Sequence, residues 1–515
     1  MIGVIAKKDF VLNLISARFV IGFLLCLGII PFTVIVGVDN YLNRVQVYKV
    51  EQERAEKEFT EVRVWSMLRP KVVTEPNVLS IFSNGISDNV GNKVQIFLGQ
   101  YPLFPSGQVV TQDNPLLNAF FTIDFSKVIA ILISLLALVF SYDVITRERE
   151  EGTMKLILTG NAGRITFLFG KLTGLLLTLL PILLFCYLLA CLMVIVNPQI
   201  SISASDWGGI VLLFLTSMVY MLVFILMGML ISTLVSRSSS AIILSLLCWI
   251  WFLFLLPNIS TYLSKSFIKI PLYDNVQIAM REYDKAFYTE SDEANQRIQK
   301  ELNLEYLSYW NCIETEDGGI EISGSIKEMV LYHQAVSRWE SSVMQDYADK
   351  KWAIQQNYLD GLIRQQKWQQ WIACLSPSEI FGQASEALCR TNVSYLLTYM
   401  GSVRNYRETF FRYYTDKKLF ESFAYFTAEP FETLYSLADI EAMGVERYWS
   451  VMKEKGIGNS MYPYLNTDNV PRFVSQPVSL ERVVGGAMGR IAALLAIMVL
   501  LLLASIAAFI KYDVR

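Results

Sequence analysis

Long apolar runs alternate with polar stretches along the whole chain. Because an α-helix rises 1.5 Å per residue, an apolar run of about 20 residues crosses a hydrocarbon core of about 30 Å. Six runs reach that length, at 19–38, 120–142, 172–196, 208–235, 239–257 and 491–510. This pattern predicts an all-α polytopic membrane protein with six transmembrane helices.

The polar parts of the chain are concentrated in two long segments, at 39–119 and 258–490. In the longer segment, apolar residues recur mostly every three or four positions, which is the spacing of one face of a helix. The recurrence predicts helices at 275–309, 325–373 and 393–427. The last of these is rich in aromatic residues, a composition that favours packing between helices over a ligand-binding platform.

The shorter polar segment changes character along its length. It begins with a charged helical pattern at 48–65 and continues into a stretch punctuated by Gly, Pro and Asn. Such punctuation predicts turns and short strands. We expect this segment to pack against the longer one.

Lysine and arginine residues collect in the segments that would face one side of the membrane. They occur in the leader, in the loop 143–171, in the turn 236–238 and in the tail, whereas the loop 197–207 has none. The positive-inside rule therefore predicts that both termini and the loop 143–171 are cytoplasmic, and that both long polar segments are extracytoplasmic.

This topology divides the chain into consecutive parts. An amphipathic leader, which can lie in the membrane interface, is joined directly to the first span. The predicted boundaries are 1–38 for the leader and first span, 39–119 for the first extracytoplasmic segment, 120–257 for spans two to five with the cytoplasmic coupling loop 143–171, 258–490 for a large, mainly helical extracytoplasmic domain, and 491–515 for the last span and the cytoplasmic tail.

Composition argues against several functions. Charged residues make up 18% of the chain, below the roughly 25% of soluble domains. The net charge of −3 gives no reason to expect a nucleic-acid partner. A single histidine and the lack of CxxC and HExxH motifs argue against a metal or catalytic site. The string GNAGRITFLFGKLTG lacks the spacing of a phosphate-binding loop, so we expect this chain to bind no cofactor.

Two pairs of residues outside the loop raise alternatives. Asp124 and Lys127 lie near the start of the second span, where they are either charges at the water interface or an intramembrane polar pair that lines a path. Cys374 and Cys389 lie in a polar stretch with Cys312, and they either form a disulfide or remain free thiols.

The densest charge cluster follows directly on the second span, and its helical pattern would continue that span until Gly152 turns the chain. Thr153 is then a candidate N-cap for the apolar segment MKLILTG, and Arg164 and Lys171 would anchor the third span at the lipid headgroups. The loop is either a docking knob for another protein or a positively charged anchor with solvated carboxylates. The candidate docking residues are Arg147, Glu148, Arg149, Glu150, Glu151, Gly152, Thr153, Met154 and Arg164.

The stretch SYDVITREREEGTMKLILTGNAGRITFLFGKLTG resembles the signature of ABC-2 type transporter permeases. In that family the second span ends in an E-R-E-x-G-T-[LM] pattern, followed by an Arg and by a Gly-Lys pair that opens the third span. The pattern here runs from Glu148 to Met154, and Arg164 and Gly170–Lys171 follow it. The leader and the six predicted spans with both termini inside also resemble the family.

This resemblance implies an ATP-driven transporter in the cytoplasmic membrane of a bacterium. A separate cytoplasmic ATPase subunit, present in two copies, would bind ATP and Mg²⁺, and two permease chains, identical or paralogous, would pair in the bilayer. The segment 147–158 would be the coupling helix, and the substrate would be exported. The large segment 258–490 departs from compact exporters of the family, although some bacterial relatives carry two long external loops.

A second interpretation is a membrane-anchored interaction protein that transmits force. Its external helices would bind an extracytoplasmic partner, while the spans serve as the anchor. A continuous polar cavity between the spans favours transport. Spans that pack without such a cavity and join rigidly to the external helices favour force transmission.

Overall fold

The structure is a computed structural model of the chain, and it describes residues 1–85, 93–99, 124–154, 163–304, 311–314, 320–323, 326–455, 462–475 and 480–511. Helices make up 80% of it, which confirms the predicted all-α class. The helices are α1 (Ile2–Ile15), α2 (Ala17–Thr60), α3 (Phe125–Ser141), α4 (Thr146–Glu150), α5 (Arg164–Ile195), α6 (Ala204–Leu234), α7 (Ser238–Ile250), α8 (Leu256–Phe267), α9 (Tyr273–Glu301), α10 (Lys327–Ala373), α11 (Pro377–Leu388), α12 (Val393–Asp416), α13 (Leu437–Met443), α14 (Val445–Lys455) and α15 (Leu480–Lys511). The strands are β1 (Lys71–Val73), β2 (Lys93–Gln95), β3 (Asn311–Glu314) and β4 (Ile320–Ser323).

Six segments of the described chain are long and apolar enough to cross a membrane, as predicted from the sequence. They are Ala17–Thr60, Phe125–Glu150, Arg164–Ile195, Ala204–Leu234, Ser238–Phe267 and Val483–Lys511. The fifth segment joins α7 to α8 through a π-helical turn at Trp251–Leu255. The sequence pattern therefore identified every one of these segments, and differs from the structure in where some of them begin and end.

The first span is much longer than the apolar run that predicted it. Helix α2 continues for 44 residues through Pro31 and includes most of the charged stretch predicted as a separate helix at 48–65. Proline removes one backbone hydrogen bond from a helix, and here the helix continues on both sides of it. The helix is about 66 Å long, about twice the thickness of a hydrocarbon core.

The six spans form a bundle around α6, which packs against α3, α11 and α15. The bundle has two distinct ends. At one, which we call the elbow end, α1, α4, the start of α5 and the last turn of α15 meet, and Arg164 donates to the carbonyl of Ile510. At the other, the domain end, Arg390 forms an ion pair with Asp206 at the start of α6.

The long helices α9 and α10 form an antiparallel hairpin beyond the domain end. Lys351 Nζ lies 2.7 Å from Asp284 Oδ1, and the Tyr347 hydroxyl donates to Glu290 over 2.7 Å. Helix α10 has 47 residues and is about 70 Å long, in agreement with the helix predicted at 325–373.

The first polar segment packs against the second, as expected. Strands β1 and β2 pair antiparallel, with Val72 opposite Val94. Both valines belong to a buried cluster with the aromatic residues of α12. These aromatic residues therefore pack in a core, as their composition predicted. The buried aromatic residues on α12 are Tyr406, Phe410 and Tyr414.

Helix α11 was not predicted, and it lies in the bundle rather than with the long helices around it in sequence. Ile380, Phe381 and Leu388 belong to the buried core that the spans share. The placement also corrects the disulfide interpretation. Cys374 precedes α11 and is exposed, Cys389 follows it and is buried, and both are free. The intervening 12-residue helix is about 18 Å long, whereas a disulfide needs Cα atoms within about 7 Å.

The elbow and its buried ion cluster

The second span ends in a sharp elbow, residues 142–154, in place of the continuous charged helix that the sequence predicts. Helix α3 stops at Ser141, a turn follows, and α4 has five residues. The Ser232 hydroxyl on α6 accepts hydrogen bonds from the N–H groups of Ile145 (3.0 Å) and Thr146 (3.1 Å). These contacts fix the elbow to α6, the helix around which the other spans pack.

Gly152 turns the chain after α4, as predicted. Its φ is +73°, a conformation that glycine adopts readily and other residues avoid. A Cβ atom at this position would meet no described atom within 4 Å. Glycine is therefore favoured here by the backbone conformation, and not by a lack of space for a side chain. The rest of the predicted coupling helix, residues 155–158, lies outside the described residues.

One face of the elbow presents charges to solvent. Arg147, Arg149 and Glu151 are exposed, and Arg147 Nε lies 2.8 Å from Glu151 Oε1. Glu150 is also exposed, but it accepts hydrogen bonds from the N–H and the hydroxyl of Ser238, each at 2.8 Å, at the start of α7. Surface pairs of this kind contribute little to stability. Because these side chains are exposed, another protein that reaches this face of the elbow would contact them.

Glu148 points the other way and is buried. Its Oε1 lies 2.7 Å from Nζ of Lys171 on α5, and the same Nζ lies 3.0 Å from Oδ1 of Asp9 on α1. We call these three residues the ion cluster. The Thr153 hydroxyl donates to the Glu148 carboxylate as well, although the sequence predicts an N-cap role for it. Lys171 is therefore not a headgroup anchor, because its side chain is only 7% exposed.

The ion cluster holds two carboxylates against one ammonium group. Lys8 adds a second cation, with Nζ 3.8 Å from Glu148 Oε1, but its side chain is 57% exposed. Burial raises the pKa of Asp9, and the Lys171 ammonium opposes that rise without cancelling it. Removing one partner from a buried ion pair leaves an uncompensated charge, which is strongly destabilising. The cluster therefore depends on Lys171.

Two glycines on α5 let α1 approach closely enough for this contact. A Cβ atom at Gly170 would lie 2.9 Å from Cβ of Ile5, and one at Gly174 would lie 3.0 Å from Cβ of Asp9. The distance at Gly170 is shorter than real Cβ atoms show, and the distance at Gly174 would require the neighbouring atoms to shift by a few tenths of an ångström. The leader helix is thus seated on α5, and the ion cluster ties it to the elbow.

The remaining predicted residues lie outside the ion cluster and outside the exposed face of the elbow. Met154 is 3% exposed and joins the bundle core. Asp124 caps α3, and its carboxylate accepts from the N–H groups of Lys127 (2.8 Å) and Asn84 (3.0 Å). Lys127 is exposed, and both residues line a cavity at the domain end.

Asp9 was not among the predicted site residues, and Lys171 was predicted only as an anchor at the lipid headgroups. A lysine inside the apolar string FLFGKLTG was the available signal, because an ionisable residue within a membrane segment is costly unless it is paired. Asp9 had no comparable signal, since it lies 162 residues from its partner.

Comparison with known proteins agrees with this architecture. The family model described as ABC-2 family transporter protein matches residues 4–403, which is more than half of the chain. The chain belongs to this family. No curated protein is similar enough to count as a match. As an ABC-2 permease, the chain is a multi-pass transport subunit of an ABC transporter and is not itself catalytic, and its family implies an ABC ATPase as partner.

Proposed function

We propose that this ABC-2 permease exports a substrate and that its ATPase docks on the exposed face of the elbow. The observation that supports the proposal is the two-sided arrangement of the elbow charges. Arg147, Arg149 and Glu151 face solvent, whereas Glu148 is buried as a member of the ion cluster. A partner that binds the outer face contacts a segment whose inner face is held by three helices.

Movement of the elbow has defined routes into the bundle. Glu148 connects it to α5 and α1 through Lys171, and the N–H groups of Ile145 and Thr146 connect it to α6 through Ser232. Buried charge pairs and backbone hydrogen bonds resist separation, so the elbow and these helices shift together. In this mechanism Glu148 is a positioning residue, and the exposed charges form the docking surface.

The proposed assembly contains two permease chains and two ATPase subunits in a bacterial cytoplasmic membrane. The elbow end faces the cytoplasm, because its Lys and Arg residues follow the positive-inside rule. The α9–α10 hairpin then lies outside. ATP and Mg²⁺ are bound by the ATPase, and the permease supplies the path.

Charge reversal on the exposed face tests the docking surface. The permease is copurified with its ATPase, and the amount of ATPase retained is measured for Arg149→Glu combined with Glu151→Arg. We expect at least a tenfold loss of ATPase retention with normal membrane insertion. The matched control is Glu53→Lys with Lys57→Glu, an exposed pair far along α2. Equal retention for the two variants rejects the assignment.

Force transmission remains a second candidate, supported by one observation. Helix α2 runs without interruption from the elbow end of the bundle into the packed region around β1 and α12. Such a helix joins the spans rigidly to the external part of the chain. A substrate-transport assay in proteoliposomes separates the two functions, because a force transmitter hydrolyses ATP through its partner without moving a solute.

A further inference from the structure

A cavity of about 270 Å³ lies at the domain end, between the first turns of α3, the junction of α7 with α8, and α11. Apolar side chains line one part of it, including Ile131, Leu253 and Phe381. Polar and charged side chains line the rest. The cavity is separate from the elbow, because the elbow lies at the other end of the bundle.

The wall formed by α7 and α8 has an unusual backbone. At the π-helical turn Trp251–Leu255 the regular pattern of helix hydrogen bonds is interrupted. The Phe252 carbonyl accepts from the hydroxyls of Ser376 (2.5 Å) and Ser378 (2.8 Å), at the start of α11. Turns of this kind are rare and occur frequently at functional sites. Here the turn fixes α11 against the cavity.

The charged groups that line the cavity favour a cation. They are the carboxyl groups of Asp124, Glu379 and Glu386 and the ammonium group of Lys127. Glu379 and Glu386 are seven residues apart on α11 and therefore lie on one face of the helix. Burial raises the pKa of both glutamates, and at Glu386 the neighbouring carboxylates of Glu379 and Asp124 add to the rise, which brings the pKa of Glu386 to about 7. A bound cation would relieve this repulsion.

Ser126 supplies an independent sign that the cavity takes a polar ligand. The residue is 3% exposed and lines the cavity, and its hydroxyl has no hydrogen-bond partner within the described part of the chain. Buried hydroxyl groups without a partner are uncommon in folded proteins. Gly382 also lines the cavity, and a Cβ atom there would meet no described atom within 4 Å.

We propose that this cavity binds a small organic ammonium ion that carries an apolar group. The ammonium group would lie between Glu379, Glu386 and Ser126, and the apolar group against Ile131 and Phe381. Charge-assisted hydrogen bonds to carboxylates provide the selectivity for a cation. Two sources present this chemistry at the domain end: a soluble amine and the headgroup of an aminolipid.

The test uses three probes of similar shape and different charge. Benzylamine, benzyl alcohol and benzoate are titrated into the full-length permease in phosphatidylglycerol nanodiscs at pH 8, with binding measured by calorimetry. We expect benzylamine to bind at least tenfold more tightly than benzyl alcohol and benzoate not to bind. Absence of benzylamine binding, or equal affinity for benzylamine and benzyl alcohol, overturns the proposal.

Two variants connect the binding to the cavity. Glu386→Gln should weaken benzylamine about 10- to 100-fold, the range expected for loss of a charged hydrogen bond, and leave benzyl alcohol unchanged. Its matched control is the exposed Glu432→Gln. Gly382→Leu should fill the cavity and abolish binding, with Gly401→Leu as its control in α12. If Glu386→Gln does not fold, the Gly382→Leu result decides, and unchanged affinity in that variant refutes the site.

Two further experiments test the charge requirement and the source of the ligand. Affinity for benzylamine should rise between pH 6 and pH 8, because Glu386 must lose its proton to bind a cation, with Glu379, Asp124, Lys127 and Arg490 as its charged neighbours. A flat pH profile contradicts the role of Glu386. Adding phosphatidylethanolamine to the nanodiscs should lower the apparent affinity for benzylamine if the aminolipid headgroup is the source, and leave it unchanged if the source is a soluble amine.

Discussion

Replacing Lys171 with methionine is the most direct test of the ion cluster. Methionine preserves much of the side-chain volume and removes the charge. The variant leaves the carboxylates of Asp9 and Glu148 facing each other, with side chains 14% and 9% exposed. The partly solvated Lys8, whose Nζ lies 3.8 Å from Glu148 Oε1, is then the cation beside the two carboxylates.

The expected loss follows from burial. Removing one partner of a buried ion pair costs about 3–5 kcal/mol. With an unfolding entropy of about 2.1 cal/mol/K per residue, a chain of 515 residues has an unfolding entropy of about 1.1 kcal/mol/K, so the melting temperature should fall by about 3–5 °C. The matched control, Arg147→Met, breaks an exposed pair worth about 0–1 kcal/mol and should shift the melting temperature by less than about 1 °C.

The loss should depend on pH. Without Lys171, burial raises the pKa of Asp9 with less opposition, so the folded chain retains a proton that the unfolded chain releases near pH 4. Stability then falls as pH rises from the unfolded pKa through the folded one. We therefore expect a larger difference between Lys171→Met and the wild type at pH 8 than at pH 5.

Intrinsic fluorescence during heating, in detergent and in nanodiscs, measures these shifts. Glu148→Gln in the Lys171→Met background should recover part of the lost stability, because it removes one of the two uncompensated charges. The role of Lys171 in stabilising the ion cluster is refuted if Lys171→Met and Arg147→Met melt at the same temperature. It is also refuted if the effect of Lys171→Met is the same at pH 5 and pH 8.

Three other outcomes follow from the structure. Gly174→Val should displace α1 from α5, because even a Cβ atom at this position is crowded; faster trypsin cleavage at the leader lysines detects the displacement, and unchanged cleavage contradicts it. Arg390→Ala should lower stability by about 3–5 kcal/mol by leaving the buried carboxylate of Asp206 unpaired, and Asp206→Asn in the same chain should restore part of it, as chemical denaturation would show. Arg149→Cys, in a chain that also carries Cys312→Ser and Cys374→Ser so that neither of these two thiols can react, should react with a membrane-impermeant maleimide in inside-out vesicles and not in intact cells, and the reverse pattern refutes the proposed orientation.

Periodicity and hydropathy were sufficient for the spans and the long helices because these elements depend on local sequence. The stripe on α10 and the apolar run of α15 repeat over many turns, so small local exceptions do not obscure them. Helix α11 is shorter, and Pro377 at its start also disfavours helical geometry in the residue before it, which is the signal of a helix end. Proline at the first helical position, after Ser376 and before Glu379, is equally the signal of a helix start.

The candidate site was predictable in its position and not in its orientation. The charge run identified the elbow, but nothing in a run of alternating charges shows which carboxylate turns inward. That choice depends on Lys171, which is 23 residues away, and on Asp9, which is 162 residues from Lys171. Contacts over such separations arise from tertiary packing, here from the glycines that admit α1 against α5.

The separation of 162 residues between Asp9 and Lys171 also orders the biogenesis of the protein. A ribosome that adds about 5–20 residues per second needs about 8–32 s to synthesise that length. During this interval the leader has been made and its counter-charge has not. The leader can therefore dock only once the third span has been made, before the remaining three spans complete the bundle.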